Sequence, residues 1–227
     1  MKVVLCLHGY FDSRMDPSSK GSDGYNHIKK NILDKANVDV YIHNWQPEIE
    51  ELIRDFYNPV KAIFEKQIDF SDTVKDLGLA DMPEDNTLGR SPATILSHFY
   101  SIQRCFSMVD YSMYDCVIKA RFDLGRINRN TSGPGKHNPY PVQCINFDPS
   151  LPMDKLYMAD WQYLDSDGPA DMWFYGSPKI MKNFATLYDY AKTNMNKTNV
   201  NAIHIIKAFL KSNSIWDKKA PLKTEWE

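Results

Sequence analysis

The sequence predicts a single α/β domain with a mostly parallel central sheet flanked by helices. Strand-like and helix-like patterns alternate along the first part of the chain, which is typical of parallel strands joined by right-handed crossovers. The apolar runs are short and continuous, as in strands that are buried on both faces. A chain of 227 residues is long enough for one domain with a full core and short for two. We therefore expect residues 1–227 to form one domain.

Composition narrows the class of protein and its partners. The chain is 43% hydrophobic and 25% charged, as in an ordinary globular protein, and its net charge of −2 gives no electrostatic reason to expect nucleic acid or an anionic membrane as a partner. The four cysteines are widely spaced and form no Cys-x-x-Cys pair, so we expect reduced thiols in a cytoplasmic protein. No apolar run approaches the length of a membrane span or of a signal peptide.

In the first part of the chain, hydrophobic periodicity predicts three strands and two helices. Helical spacing of apolar residues defines the first helix, and the second begins with a proline in its first turn. In chain order the elements are a strand at 3–7, a helix at 25–36, a strand at 38–42, a helix at about 47–57 and a strand at 62–68.

The second part of the chain is predicted to hold two flexible loops among further helices and strands. Residues 71–90 are acidic and lack a period, and residues 127–142 are rich in Gly, Pro and Asn. Between these loops, Ser91 and Pro92 begin a strongly amphipathic helix that continues to about residue 109. Later elements are strands at 156–159 and 173–176, a helix that begins at 178 and a last helix at about 200–210, followed by a polar tail.

The stretch at 114–124 organises the predicted site. Its buried apolar run opens into Lys119, Arg121 and Asp123, which are spaced by two and therefore point to the same side of a strand. Unpaired charge at the buried end of a strand is costly, and open α/β sheets bind ligands beyond the carboxyl ends of their strands. A phosphate group and a divalent metal would suit these charges. An Arg121–Asp123 ion pair that is purely structural is the alternative.

The reading Tyr-Asp-x-Val-Ile-x-x-Arg-x-Asp-Leu at 114–124 resembles a strand of nucleotide-sugar glycosyltransferases from surface-polysaccharide and viral glycan pathways. Other parts of the chain fit this resemblance in the same order, at 43–45, 56–59, 97–103 and 171–177. The resemblance implies a GT-A-like, Rossmann-like fold and a cytoplasmic location in a bacterium or a virus-infected cell. The Asp-x-Asp metal motif of that family is reduced here to Arg121-Phe122-Asp123. Asp123 is therefore the expected ligand for Mn²⁺ or Mg²⁺.

The loop after the first strand is a candidate donor-binding segment. His8 and Gly9 resemble the oxyanion-hole pair of α/β-hydrolases, but the chain has no Gly-x-Ser-x-Gly elbow, and it also has no P-loop. The glycosyltransferase resemblance implies instead that His8, Gly9 and Tyr10 lie against the nucleotide and that Arg14 reaches a phosphate. Gly9 would let the backbone approach closely, or it simply forms a tight turn.

Other candidate donor-binding residues follow the second strand, lie on the helix after residue 91, or end the central strand. Asn44 has the donors and the acceptor to read a base or ribose, and Trp45 either stacks on the donor or packs in the core. Arg104 faces phosphate or is an ordinary solvated arginine. Lys119 and Arg121 would neutralise phosphate oxygens.

Asp171 is the candidate catalytic residue. It directly precedes the apolar strand at 172–175, close to the predicted edge of the site. The resemblance implies that an aspartate at this place lies near the sugar and the acceptor, where it would act as general base in an inverting reaction. A role in capping a helix or turn is the alternative.

The function predicted is a hexosyltransferase-like, metal-assisted transfer of sugar from a nucleoside diphosphate sugar to a glycan or other hydroxyl acceptor, as in polysaccharide biosynthesis. A nucleotidyltransferase would share the sheet and the metal, but its usual Gly-rich, Lys-containing loop is missing after the first strand. A non-catalytic nucleotide- or glycan-binding module is the other alternative.

Overall fold

The computed structural model describes residues 1–11, 22–80, 91–128, 140–142, 144–161, 163–197 and 200–223. The strands are β1 (Lys2–Gly9), β2 (Asn37–Asn44), β3 (Lys61–Phe64), β4 (Cys116–Arg121), β5 (Arg126–Asn128), β6 (Tyr140–Val142), β7 (Leu156–Ala159), β8 (Trp173–Gly176) and β9 (Lys219–Leu222). The α-helices are α1 (Ser22–Ile28), α2 (Glu50–Tyr57), α3 (Ser71–Asp76), α4 (Pro92–Phe106), α5 (Pro178–Met181), α6 (Leu187–Asn194) and α7 (Ala202–Ser212). Among the described helices, none has the length and apolar character needed to cross a bilayer.

A seven-stranded sheet in the order β3-β2-β1-β4-β8-β7-β9 forms the centre of the molecule. The strands β3, β2, β1 and β4 are parallel, β8 is antiparallel to both of its neighbours, and β9 is parallel to β7. The predicted single-domain fold with a mostly parallel sheet is therefore confirmed. A separate antiparallel ribbon is formed by β5 and β6.

Each face of the sheet packs against its own set of helices, because successive side chains of a strand point to opposite faces. On one face, Leu5 and Leu7 of β1 pack with buried residues of α1 and α2. On the other face, Val4 and Cys6 join a larger core that includes α4, α6 and α7. His8 follows Cys6 by two residues, so the same alternation directs it to the α4 face.

The helix α4 has the predicted start and buries the predicted stripe. The Ser91 hydroxyl oxygen accepts a hydrogen bond from the Thr94 N–H at 3.3 Å, and Pro92 occupies the first turn. Ile95, Phe99 and the later stripe positions are buried, and the helix packs across β1 and β2. This packing places the middle of α4 against the carboxyl ends of those strands.

Several predicted boundaries are wrong. The third strand ends at Phe64 rather than 68, residues 71–76 form α3 rather than a loop, and the ends of the predicted loop at 127–142 pair as β5 and β6. Residues 81–90 and 129–139 of the two predicted loops lie outside the described residues. The helix predicted from residue 178 is divided by a 3-10 segment at Lys182–Thr186 between α5 and α6.

Two further differences lie near the ends of the chain. The first helix begins at Ser22, earlier than predicted, and continues as a π-helical segment at Lys29–Leu33. A Cβ on Gly24 would lie 2.1 Å from the Phe122 carbonyl oxygen, so only glycine lets α1 approach the end of β4 this closely. The predicted polar tail contains β9, whose Pro221 is tolerated because β9 is an edge strand.

Candidate functional site

Three polar side chains lie at the same level on neighbouring parallel strands. His8 of β1 pairs in register with His43 of β2 on one side and with Arg121 of β4 on the other. His8 and His43 are buried and contact residues of α4. We call this carboxyl edge of β1, β2 and β4, together with the facing side of α4, the edge site. Ligands of open α/β sheets bind at such an edge.

At the β2 side of the edge site, His43 is held by hydrogen bonds at both ring nitrogens. Its Nδ1 lies 2.7 Å from the Ser101 Oγ and its Nε2 lies 2.9 Å from the Glu65 Oε1. The Gly9 N–H donates to the same Ser101 oxygen at 3.0 Å, which leaves the hydroxyl proton for His43 Nδ1. We call His43, Ser101, Glu65 and Gly9 the His43 network.

In the His43 network, hydrogen bonds join a serine, a histidine and a glutamate, as in the catalytic triad of a hydrolase, but the serine is not accessible. Ser101 and His43 have no exposed surface, and the Ser101 oxygen is already occupied as an acceptor. Burial lowers the pKa of His43, although the hydrogen bond to Glu65 opposes this, so the imidazole is neutral at neutral pH. The network therefore holds the loop after β1 against α4, and its serine is not available as a nucleophile.

Asn44 ties the loops after β1 and β2 together. Its Nδ2 donates to the Gly9 carbonyl at 2.9 Å, and its Oδ1 accepts from the Gln46 N–H at 2.7 Å. The Gln46 Oε1 in turn accepts from the Phe11 N–H at 2.8 Å. Gly9 has a φ of +95°, a conformation that L side chains rarely adopt. These contacts favour structural roles for Asn44 and Gly9, and their donor-binding roles stay predictions.

Trp45, Tyr10 and Arg104 lie on the same side of the edge site as the His43 network. Trp45 is 4% exposed and stacks on Tyr100 with ring centroids 5.5 Å apart, so it packs rather than presents an open face. The Tyr10 hydroxyl donates to the Gln67 Oε1. The Arg104 Nε lies 3.7 Å from the Glu65 Oε1, and the Arg104 side chain is 40% exposed. This exposure fits the alternative in which Arg104 is an ordinary solvated arginine.

At the β4 side of the edge site, Arg121 binds two carboxylates. Its Nε donates to the Asp123 Oδ1 at 2.9 Å, a second bond joins Nη2 to Oδ2, and its Nη1 lies 3.8 Å from the Asp171 Oδ1. Burial lowers the pKa of Arg121, but the attraction of Asp123 and Asp171 outweighs it, so the pKa is raised and the guanidinium stays charged. We call Lys119, Arg121, Asp123, Asp171 and His98 the charged cluster.

Asp171 is held between Arg121 and a histidine of α4. The His98 Nε2 lies 3.2 Å from the Asp171 Oδ2, close enough for electrostatic attraction but misaligned for a good hydrogen bond. Burial alone would raise the pKa of Asp171, but His98, Arg121 and Lys119 hold it well below its usual value. Burial lowers the pKa of His98 to about 4, against the pull of Asp171. At neutral pH a carboxylate therefore faces a neutral imidazole.

Lys119 has a structural task that its sequence position did not predict. It is fully buried, and its Nζ donates to the Asp171 carbonyl and, at 3.4 Å, to the Met172 carbonyl. The ammonium also lies 5.3 Å from the centre of the Phe174 ring. Lys119 thus fixes the turn that carries Asp171 into β8. Its phosphate role stays a prediction that these contacts do not favour.

His8 differs from every other polar member of the edge site. It is 1% exposed, its ring meets the His98 ring edge-on with centroids 5.1 Å apart, and neither ring nitrogen has a hydrogen-bond partner among the described residues. Burial lowers the pKa of His8 well below its usual value, and the nearby charges of Lys119 and Arg121 lower it further. The ring is therefore a neutral imidazole with an unused donor and an unused acceptor.

The charged cluster, as the described residues form it, offers no ready-made site for a divalent cation. Among the described residues, no group of three or more His, Cys, Asp or Glu side chains could hold a metal ion, and Asp123 is paired with Arg121. The cations Lys119 and Arg121 are balanced by the carboxylates of Asp123 and Asp171. An anionic diphosphate placed here would need further positive charge. Arg14, predicted to supply some, lies outside the described residues.

His98, Ser101 and Glu65 belong to the site but were not among the predicted site residues, although His98 and Ser101 lie in the stretch at 97–103 that fits the resemblance. His98 lies three residues after Ile95 and four before Ile102, which places a polar residue within the apolar stripe of α4. That departure from the pattern is a signal that could have identified it. Glu65 follows β3 directly, and nothing in its local sequence distinguishes it from a solvated glutamate.

Comparison with known proteins adds structural likenesses. No protein-family model and no curated protein matches the chain. The chain is similar to the glycosyltransferase GlyE of Streptococcus pneumoniae TIGR4, with 12% identity and a TM-score of 0.46 over 97% of this chain and 44% of that one. Its apo form gives 13% identity and the same TM-score and coverage. The chain is also similar to mouse xyloside xylosyltransferase 1 in its apo form, with 9% identity and a TM-score of 0.38. The match covers 98% of this chain and 85% of that one.

This chain therefore spans less than half the length of the GlyE chain. All three solved structures are of glycosyltransferases, but TM-scores below 0.5 and identities of 9–13% do not establish an activity. The features that bear on function are therefore the edge site and the stretch at 114–124.

Proposed function

We propose that the protein transfers a sugar from a nucleoside diphosphate sugar to a glycan or other hydroxyl acceptor. The observation that carries this proposal is the charged cluster at the carboxyl edge of β1 and β4. It joins the residue pattern that resembles nucleotide-sugar glycosyltransferases to the place where open α/β sheets bind ligands.

In such a transfer, the bond between the anomeric carbon and the diphosphate oxygen breaks, and the leaving diphosphate keeps the bonding electrons. A bond forms between the anomeric carbon and the acceptor oxygen, whose proton passes to a base. Arg121 suits the diphosphate because its side chain is 20% exposed and its planar guanidinium can bind two oxygens at once.

Asp171 is the proposed base for an inverting reaction. Its lowered pKa makes the carboxylate a weaker base than an ordinary aspartate, so it would take the proton only after bond formation to the anomeric carbon has acidified the hydroxyl. The fixed position of Asp171 between His98 and Arg121 favours this role, because a base must be oriented before the proton moves.

The cofactor of this proposal is Mn²⁺ or Mg²⁺. Mg²⁺ is commonly bound by one or two carboxylates together with substrate phosphates, so a single aspartate is compatible with such a site. Asp123 would hold the ion, which when bound would offset the negative charge that develops on the leaving diphosphate. Asp123 would also have to release Arg121 in part, and that release would make the guanidinium available to phosphate.

A non-catalytic binding module is the second candidate, and the lowered pKa of Asp171 favours it. A carboxylate held by a salt bridge to a charged guanidinium can serve binding without any proton transfer. Such a module would bind the nucleotide sugar and release no diphosphate.

The experiment has a binding arm and a turnover arm. Thermal shifts are measured with UDP, GDP and dTDP, with Mn²⁺, Mg²⁺ or EDTA, since a ligand at 100 times its Kd adds about 2.7 kcal/mol. The matching nucleotide sugars are then incubated with hydroxyl acceptors, and diphosphate release is followed. A shift with turnover supports the transferase, a shift without turnover supports the binding module, and no shift with any nucleotide contradicts both.

Paired variants locate the binding. Arg121→Met should remove the nucleotide shift, whereas Arg54→Met should retain it, because Arg54 pairs with Glu50 on the surface of α2. Asp123→Asn should remove the dependence on metal, and Asp34→Asn, in a surface pair with Lys29, should not. Retention of the full shift in Arg121→Met would contradict the assignment of the site.

A further inference from the structure

The buried imidazole of His8 lacks the partners that buried polar groups normally have. In native proteins the large majority of buried polar side-chain atoms are hydrogen bonded, and each exception calls for an explanation. His43, its partner in register on β2, is bonded at both nitrogens. His8 is 1% exposed and is bonded at neither among the described residues. The difference points to a ligand group at His8.

The residues around His8 are already committed to other partners. Lys119 donates to backbone carbonyls, Arg121 is held by Asp123 and Asp171, and His98 lies against Asp171. In the structure none of these groups is a hydrogen-bond partner of His8. The His8 ring therefore lies beside the charged cluster, and neither of its nitrogens has a hydrogen-bond partner among the described residues.

The chemistry of a neutral imidazole limits what the missing partner can be. One ring nitrogen donates and the other accepts. Phosphate oxygens and carbonyls only accept, and an ammonium group only donates. Because the two nitrogens point in different directions, each needs its own partner, and a hydroxyl can serve either of them; a sugar carries several hydroxyls. Burial and the neighbouring cations lower the pKa of the imidazole, which favours a contact with a neutral group such as a hydroxyl.

We propose that His8 hydrogen-bonds a hydroxyl of the donor's sugar, so that it distinguishes a nucleoside diphosphate sugar from the free nucleoside diphosphate. This inference rests on the proposed function, and it gives His8 a different ligand group from the nucleotide contact that its sequence position predicts. Arg121 is the neighbour in register on β4. When a diphosphate takes up its guanidinium, the side chain moves from its present partners and gives the sugar access to the ring.

The test compares binding of the diphosphate with binding of its sugar conjugate. Calorimetric titrations use UDP, GDP and dTDP beside UDP-glucose, UDP-galactose, GDP-mannose and dTDP-glucose, on the wild type and on His8→Leu. We expect His8→Leu to change the Kd of the diphosphate by less than about twofold and to weaken the sugar conjugate by about 5- to 50-fold. His8→Asn or His8→Gln, which restore a donor and an acceptor, should recover part of the loss.

Controls separate a ligand contact from a loss of structure. The melting temperature of His8→Leu should match that of the wild type, because no hydrogen bond within the described residues is lost. His204→Leu on α7, whose side chain is 28% exposed, should leave both affinities unchanged. Deoxy analogues of the sugar nucleotide identify the hydroxyl, since removing it should weaken binding to the wild type and not to His8→Leu.

The outcomes distinguish this inference from the proposed function. If the wild type binds a diphosphate but His8→Leu leaves its preference for the sugar conjugate unchanged, the inference is overturned and the proposed function stands. If His8→Leu weakens the diphosphate and the sugar conjugate equally, His8 contacts the nucleotide or supports the fold, and the inference is again overturned. If the wild type binds no nucleotide, both fail together.

Discussion

His8 and His43 are the same residue type at the same level of neighbouring strands, yet their surroundings differ completely. Both are buried and both are neutral at neutral pH. His43 is satisfied by Ser101 and Glu65, whereas His8 has no partner within the described part of the chain. The stability of the fold explains a satisfied buried histidine, whereas an unsatisfied one needs a further explanation, which the proposed contact with a sugar hydroxyl supplies.

The same contrast extends to the two halves of the edge site. The His43 network is closed, because each of its polar groups bonds another member and together they join β1, β2 and α4. The charged cluster is open, because the side chains of Arg121 and Asp123 are 20% and 22% exposed, and the His8 ring beside it has no hydrogen-bond partner among the described residues. Substitutions in the closed half should therefore change stability, and substitutions in the open half should change ligand binding or turnover.

The largest expected effect is on turnover in Asp171→Asn, in the open half. If Asp171 takes the acceptor proton, turnover should fall by about 10²–10⁴-fold, the usual contribution of a positioned base, while nucleotide affinity stays nearly intact. Single-turnover transfer and titration calorimetry measure the two quantities. Asp165→Asn is the control, since the Asp165 side chain is 86% exposed and lies in the loop before Asp171. Full turnover in Asp171→Asn would make Asp171 structural and would favour a retaining mechanism or another base.

The next effect is a loss of stability in acid that arises from two histidines that are largely buried, His98 in the charged cluster and His27 on α1, outside the edge site. Burial lowers the pKa of His98 and of His27 to about 4 in the folded protein, from 6.5 in the unfolded chain. Below pH 6.5 the unfolded state binds more protons, so stability falls as pH drops from 6.5 toward 4. Each histidine should contribute a loss of about 3 kcal/mol at the end of that window.

Urea unfolding between pH 7.5 and pH 4.5 measures this dependence. The lowered pKa of Asp171 adds its own loss only below that window, as pH falls through a value well under 3.8. His98→Gln should remove the contribution of His98 to the pH dependence of the free energy of unfolding, while the contribution of His27 remains. An unchanged curve in His98→Gln would mean that His98 is protonated at an ordinary pKa, and the buried neutral imidazole beside Asp171 would be wrong.

A smaller effect separates the closed half from the open half by stability alone. Ser101→Ala removes the partner of the His43 Nδ1 and of the Gly9 N–H, and it should cost about 1–3 kcal/mol, because buried polar groups are left unpaired. His8→Leu should cost nothing measurable, because it removes a polar group that has no partner among the described residues. Chemical denaturation compares the two.

The control for this comparison is Ser107→Ala, an exposed serine at the end of α4, which should stay within about 0.5 kcal/mol of the wild type. Equal destabilisation by Ser101→Ala and His8→Leu would remove the distinction between a closed and an open half.

The sequence predicted the sheet because its strands are buried on both faces and therefore read as continuous apolar runs. It also predicted that Arg121 and Asp123 would leave β4 on one side, and the ion pair between them was the stated alternative. It missed β9, because an edge strand containing Pro221 has no such run. It placed residues 71–76 in a loop, because a six-residue helix is too short to show a period.

The candidate site was harder to predict, because its contacts depend on register and on helix packing. From its position in the sequence, Asn44 could donate and accept hydrogen bonds to a base or ribose. Only the fold shows that its side-chain amide joins two loops instead. Lys119 likewise reads as a phosphate ligand, until the register of β4 with β8 places it beneath the turn at Asp171. His98 touches Asp171, which lies 73 residues further along the chain, and no local pattern encodes that distance.

The smallest expected effect is that of Arg104→Met, at the outer rim of the His43 network. The Arg104 Nε lies 3.7 Å from Glu65, beyond hydrogen-bonding distance, and the side chain is 40% exposed, so the loss of stability should be less than about 1 kcal/mol. Methionine keeps an apolar stem against the ring of Tyr100, which the guanidinium faces at 5.9 Å. Nucleotide affinity should change by less than about threefold, since a solvated arginine beside a carboxylate contributes little. A tenfold loss of affinity that disappears at high salt would instead assign Arg104 to a phosphate, and the nucleotide would then extend across both halves of the edge site.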